Sequence, residues 1–220
     1  MKHAKTLYAA AALSLAAIGS AAAQTSRVQV LNEGFENIGG LVGWTQVNNS
    51  APVGNAWFQG NAGIFAAQAG PADSYAGVNF LSAAGGSGNI DNWLITPTLA
   101  LSGLTDISFY TRHAADPGFS ELLEVRFAYG DSSNPADFAT LITTIGNTGG
   151  YPTEWALFDT SLALEGPGRF AFRYAGPAEL SGYVGLDSVS VVTAVPEPAT
   201  WMLLAMGLGG LGLARRRVQS

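Results

Sequence analysis

Through the middle of the chain apolar side chains recur at every second position, and this period decides what the chain can fold into. In residues 105–112, Ile107 and Phe109 share one face with Thr111, while Ser108, Tyr110 and Arg112 share the other. In residues 122–129, Leu123, Val125, Phe127 and Tyr129 oppose Glu124 and Arg126. In residues 169–174, Phe170, Phe172 and Tyr174 oppose Arg169, Ala171 and Arg173. A period of two, rich in aromatic and β-branched residues, is the signature of strands with one buried face. Shorter candidates lie at 28–31, 44–47, 56–59, 63–67, 74–80, 93–96, 141–145, 155–159 and 183–192. Glycine and small polar residues punctuate these segments, with loops expected at 82–89, 131–135 and 177–181. Roughly ten to twelve short strands without an amphipathic helix predict an all-β chain, an antiparallel β-sandwich of jelly-roll type.

Both ends break this pattern. Lys2, His3 and Lys5 precede an apolar stretch from Leu7 to Ile18, and Ala21, Ala22 and Ala23 offer a small-residue cleavage site. Residues 1–23 therefore read as a secretory signal peptide, a substrate for signal peptidase. At the other end Pro196, Glu197 and Pro198 lead into an apolar run, residues 200–214, which Arg215, Arg216 and Arg217 stop. The arginines favour the cytoplasmic side of a membrane, leaving the preceding domain outside. The run is about 15 residues, or roughly 22 Å as a helix, against a hydrocarbon core of about 30 Å. Gly207, Gly209, Gly210 and Gly212 weaken it further. Residues 195–220 thus read as a sorting segment, a transmembrane segment that holds the chain in the membrane until it is cut. A permanent tail anchor is the alternative. Residues 24–194 remain as one domain, large enough to bury a core.

That middle region carries Arg27, Arg112, Arg126, Arg169 and Arg173 and no lysine, against fifteen aspartates and glutamates. A net charge of about −10 repels nucleic acid and anionic lipid, and suits divalent cations, neutral glycans or a basic partner. With no cysteine anywhere, thiol nucleophiles and Cys-based metal sites are excluded. His113 is the region's one histidine, and its setting before Ala114 and Ala115 reads as an exposed strand end.

The last strand candidate has an irregularity. Val184 and Leu186 occupy even positions, but Val189 and Val191 odd ones. One buried face can be kept only by a slip, which places a β-bulge at Asp187 and Ser188; otherwise Leu186 faces away from the core. Trp57, between Asn55 and Gln59, is the candidate for sugar stacking, with burial in the core as the alternative. Glu121, Glu124, Glu154, Asp159, Glu165 and Glu179 could supply the acid pair of a glycan hydrolase, although so many acids always provide pairs.

The tail, with Pro196-Glu197-Pro198, its apolar span and Arg215 to Arg217 in that order, resembles the PEP-CTERM sorting domain of Gram-negative bacteria. The resemblance implies processing by an exosortase, and export into an envelope or biofilm matrix rich in extracellular polysaccharide. The string Asp91-Asn92-Trp93-Leu94-Ile95-Thr96-Pro97, with Asn32 to Glu36, Gly43-Trp44, Ile107 to Phe109, Trp155 and Gly185 to Val189, resembles the choice-of-anchor J domain. That group is similar to cleaved-adhesin and MAM-type jelly rolls. Glu36 and Asp187 also resemble the metal-holding ends of carbohydrate-binding jelly rolls, which implies a structural calcium held with backbone near Asn32. The expected role is adhesion or polysaccharide association without catalysis. A secreted glycan hydrolase is the alternative.

Overall fold

A computed structural model describes residues 26–115, 118–146 and 150–195. The signal peptide and the sorting segment from Pro196 onward lie outside the described residues. No described helix is long or apolar enough to cross a membrane.

The strands are β1 (Arg27–Glu33), β2 (Thr45–Asn48), β3 (Phe58–Gln59), β4 (Ala76–Asn79), β5 (Asn89–Ile95), β6 (Leu99–Leu101), β7 (Leu104–His113), β8 (Leu122–Tyr129), β9 (Thr140–Gly146), β10 (Ala156–Ala163), β11 (Gly166–Pro177) and β12 (Tyr183–Ala194). They form two six-stranded antiparallel sheets, as the alternation requires. Sheet A runs β10-β7-β12-β4-β3, with β1 also on β12; sheet B runs β2-β5-β11-β8-β9, with β6 also on β11.

Two long strands organise the sheets. β12 pairs with β7 along one edge, while its other edge takes β4 at Tyr183 to Leu186 and β1 at Val189 to Ala194. β1 and β4 therefore lie end to end. β11 does the same for β5 and β6, which part where Pro97, lacking an N–H, stops β5.

The faces follow the sequence pattern. β7 alternates buried and half-exposed residues along its length. Phe109, Val125, Phe127, Phe170 and Phe172 are all at most 2% exposed between the sheets. The rings of Phe109 and Phe172 meet edge to face across the two sheets, 5.2 Å between centroids. The outer faces are clothed as well. Trp93, Ile95, Ala128, Phe138 and Ala171 cluster outside sheet B, and Phe65, Tyr75 and Tyr183 outside sheet A.

Residues 63–67 are not a strand. They belong to a loop that lays Phe65 over sheet A, stacked on Tyr75 at 5.0 Å and edge-on to Trp155. Gly185 makes this possible: a β-carbon there would stand within 3.0 Å of Trp155, Phe65 and Tyr75. The apolar pattern of 63–67 marks burial against a sheet face, which period alone does not distinguish from pairing at an edge.

Candidate functional site

The bulge forms where the sequence places it. The register of β12 against β7 shifts between Asp187 and Ser190, so Leu186 and Val189 both reach the core. Ser188 takes φ 51°, and Phe35, just past β1, takes φ 55°. These left-handed conformations are unfavourable for non-glycine residues and collect at functional or tightly determined positions. Both stand at the junction where β1 gives way to β4 on the edge of β12.

Asp187 is fully buried there. Its Oδ2 accepts the backbone N–H groups of Gln68 at 2.8 Å and Ala69 at 3.2 Å, and its Oδ1 that of Ser188 at 2.6 Å. Burial pushes its carboxyl above the usual carboxylate range, against the opposing pull of these donors. Glu36, by contrast, is exposed beyond the Gln68–Gly70 turn. Ser74 Oγ and Glu36 Oε1 lie 3.4 and 4.0 Å from where a Gly70 β-carbon would stand, and the buried Ser74 hydroxyl has no partner. Asn32 lies one step away on β1, paired with Ser190. The pairing of first and last strands is as expected. Among the described residues, no three acidic or imidazole side chains converge as a metal cluster.

Trp57 is corrected to a core residue. It is 3% exposed, and its indole N–H points to the Asn92 carbonyl at 3.4 Å, so neither ring face is open to a sugar. His113 is not exposed either: it is buried, with Nδ1 3.2 Å from a carboxylate oxygen of the buried Glu121. Among the described residues no hydrogen bond joins its ring to a serine hydroxyl.

The polar constellation that single-strand reading missed lies outside sheet B. Arg173 of β11 donates to Asp91 of β5 at 2.6 Å and to Glu124 of β8 at 3.0 Å, and Glu124 also accepts from Arg126 at 2.7 Å. Trp93 donates its indole N–H to Asp91 at 2.7 Å, and the Arg173 guanidinium covers the ring at 5.2 Å. Three strands thus contribute one continuous row, Asp91–Arg173–Glu124–Arg126. Its side chains keep 13–27% of their surface exposed, so the row is held rigidly yet reaches solvent. Burial acts to raise the Glu124 carboxyl, but hydrogen bonds from Arg126 and Arg173 outweigh it and hold it below the usual carboxylate range. With Arg169, three of the domain's five arginines sit on this face. The clue was their shared polar-face parity in a region without lysine.

Residues 194–218 match the PEP-CTERM protein-sorting motif, which marks an exported chain processed at the membrane. No curated protein matches the chain. Among solved structures, the K3 cleaved adhesin domain of Lys-gingipain from Porphyromonas gingivalis is similar, with a TM-score of 0.58 and 23% identity, covering 76% of this chain and 99% of that one. The K1 cleaved adhesin domain of the same protein is similar at a TM-score of 0.57 and 23% identity, covering 76% of this chain and 97% of that one. The described sandwich therefore has the cleaved-adhesin fold, and the chain carries a PEP-CTERM tail beyond it.

Proposed function

We propose that this chain is an exported envelope or matrix protein whose sandwich adheres to neutral extracellular polysaccharide through the outer face of sheet B. The ion-paired row across β5, β11 and β8 carries the reading. Its two cations and two anions balance, on a domain that is otherwise strongly acidic. Fixed guanidinium and carboxylate groups hydrogen-bond hydroxyls without a new buried charge, and rigidity lowers the cost of binding. The cleaved-adhesin likeness supports an adhesive role. The C-terminal motif supports an inner-membrane intermediate, with Arg215 to Arg217 cytoplasmic, that an exosortase cuts near Pro196 to Pro198 for release or re-attachment at the cell surface.

Binding without turnover is the expected chemistry. A glycosidase needs a protonated acid, and Glu124 is held ionised by its two arginines. On an array of neutral and uronic-acid glycans the chain is expected to retain neutral polysaccharide and release no reducing ends. Arg173→Gln, which leaves Asp91 without its cation and Glu124 with Arg126 alone, should weaken binding about tenfold, or 1.4 kcal/mol. Absence of neutral-glycan binding, or binding indifferent to Arg173→Gln, would refute the reading.

Calcium is assigned a structural role at the bulge, between Asp187 and the exposed Glu36. The buried Asp187 carboxylate, the partnerless Ser74 hydroxyl and the left-handed Phe35 and Ser188 support it. Calcium accepts such mixed oxygen donors in flexible geometry, whereas magnesium demands an octahedron. Calcium in hundredfold excess over its dissociation constant should stabilise the fold by about 2.7 kcal/mol, magnesium less. Glu36→Gln should cancel that gain without changing the melting temperature in chelator. Asp187→Asn should lower it even in chelator, because an amide cannot accept all three backbone donors. Identical melting curves with calcium and with chelator would remove the metal.

A further inference from the structure

β12 spans the sandwich from Tyr183 to Ala194, roughly 35 Å at strand rise. At its far end Ala194 pairs with Arg27, and Val195 donates to the Ser26 carbonyl, so both processed ends leave from one pole. The opposite pole lies at the Tyr183 end of the strand. There Ile64, Phe80, Leu81, Phe119 and Leu180 stand 36–48% exposed. Phe80 and Phe119 flank a pocket of about 270 Å³, also lined by Ile64, Asn79, Gly182 and Tyr183.

We propose that this pocket at the Tyr183 end of β12 binds a single neutral pyranose unit of a glycan, as a second contact beside the sheet B row. The proposal rests on the glycan-binding reading and adds a separate site to it. The pocket falls below the roughly 300–1,000 Å³ of drug-sized ligand sites, which suits one ring and not a chain segment. Two half-exposed phenyl rings offer flat apolar surface to the C–H face of a sugar, and none of the lining residues is charged. Gly182 forms part of the wall, and Glu121 occupies the space a side chain there would fill. Glu121 is buried behind that wall and does not line the pocket, so the surface a ligand meets there is uncharged. Charge selects the occupant. A second copy would bring another domain of about −10, and an acidic glycan would meet the same field, whereas a neutral sugar meets no such repulsion.

The test uses the full chain in a zwitterionic detergent, titrated with free methyl glucoside, methyl galactoside and methyl mannoside and with the neutral polysaccharides of the array. Wild type is compared with Phe80→Ala, Phe119→Ala and Arg173→Gln. Both phenylalanines are 40% exposed, so their variants should keep the wild-type melting temperature. At least one glycoside is expected to bind, and Phe119→Ala should weaken it about tenfold, with Arg173→Gln leaving it unchanged. Polysaccharide binding lost in Arg173→Gln, with no glycoside response to either phenylalanine change, overturns the pocket and leaves the sheet B reading standing. No binding of any neutral glycan overturns both. Concentration-dependent self-association that Phe119→Ala abolishes, without a glycoside effect, assigns the patch to a second copy and overturns the sugar.

Discussion

Replacing Phe172 by alanine is expected to destabilise the sandwich by about 3–5 kcal/mol, a large share of the 5–15 kcal/mol typical of whole domains. The side chain is fully buried and lies between Leu94 of β5 and Val125 of β8 in the register of sheet B. Across the core it meets the edge of Phe109 from β7, so one ring joins both sheets. Neighbours held in paired strands cannot collapse into the space it leaves, and the cavity adds to the lost transfer energy. Urea unfolding should show a lower midpoint with an unchanged slope. A loss below about 1 kcal/mol would show that Phe172 does not hold the sheets together.

The second large effect is expected at Arg169, which lies only 6% exposed on the outer side of sheet B. Its guanidinium donates to the carbonyls of Thr96 at 2.6 Å, Asp131 at 3.2 Å and Gly43 at 3.1 Å, and to Thr45 Oγ1 at 3.0 Å. These acceptors come from the end of β5, the approach to β2 and the turn after β8. One planar fork thus ties the turn after β8 to the point where β2 and β5 pair, Thr45 opposite Ile95. Arg169→Met keeps most of the aliphatic volume but leaves four acceptors without their donor, for a loss of about 3 kcal/mol. Lysine is expected to recover less than half, because an ammonium on a flexible stem cannot match the fork. Amide exchange should quicken first in Thr45–Asn48, the edge strand this residue pins. Full rescue by lysine would reduce the role to charge alone.

The legible part of the fold was the part written locally. β7, β8 and β11 each declare a buried face through strict alternation, and the parity change between Leu186 and Val189 marks the bulge, because a strand cannot otherwise keep one face inside. What pairs with what is non-local. Arg173, Glu124 and Asp91 each sit on the polar face of their own strand, yet only the register of β11 against β5 and β8 makes them one row. Trp57 misled because its polar neighbours suggested a surface, whereas the chain turns it inward against Asn92. β6 escaped notice because three residues after Pro97 are too few to show a period. His113 read as exposed because nothing near it in sequence reveals Glu121 folding over it.

The central place of β12 in sheet A has a mechanical consequence. Tension that enters through the C-terminus runs along the axis of this strand, since Ala194 is its last residue. Bonds in an antiparallel pair run perpendicular to the strands. A pull along β12 therefore loads its ladders to β7 and β1 in shear, so that many bonds share the force together and none can be opened singly from an end. Had the tail left from an edge strand such as β10, the same tension would have peeled one ladder bond by bond. Placing the exit on the strand that holds partners on both sides turns the weakest geometry of a sheet into its strongest wherever tension enters through the C-terminus.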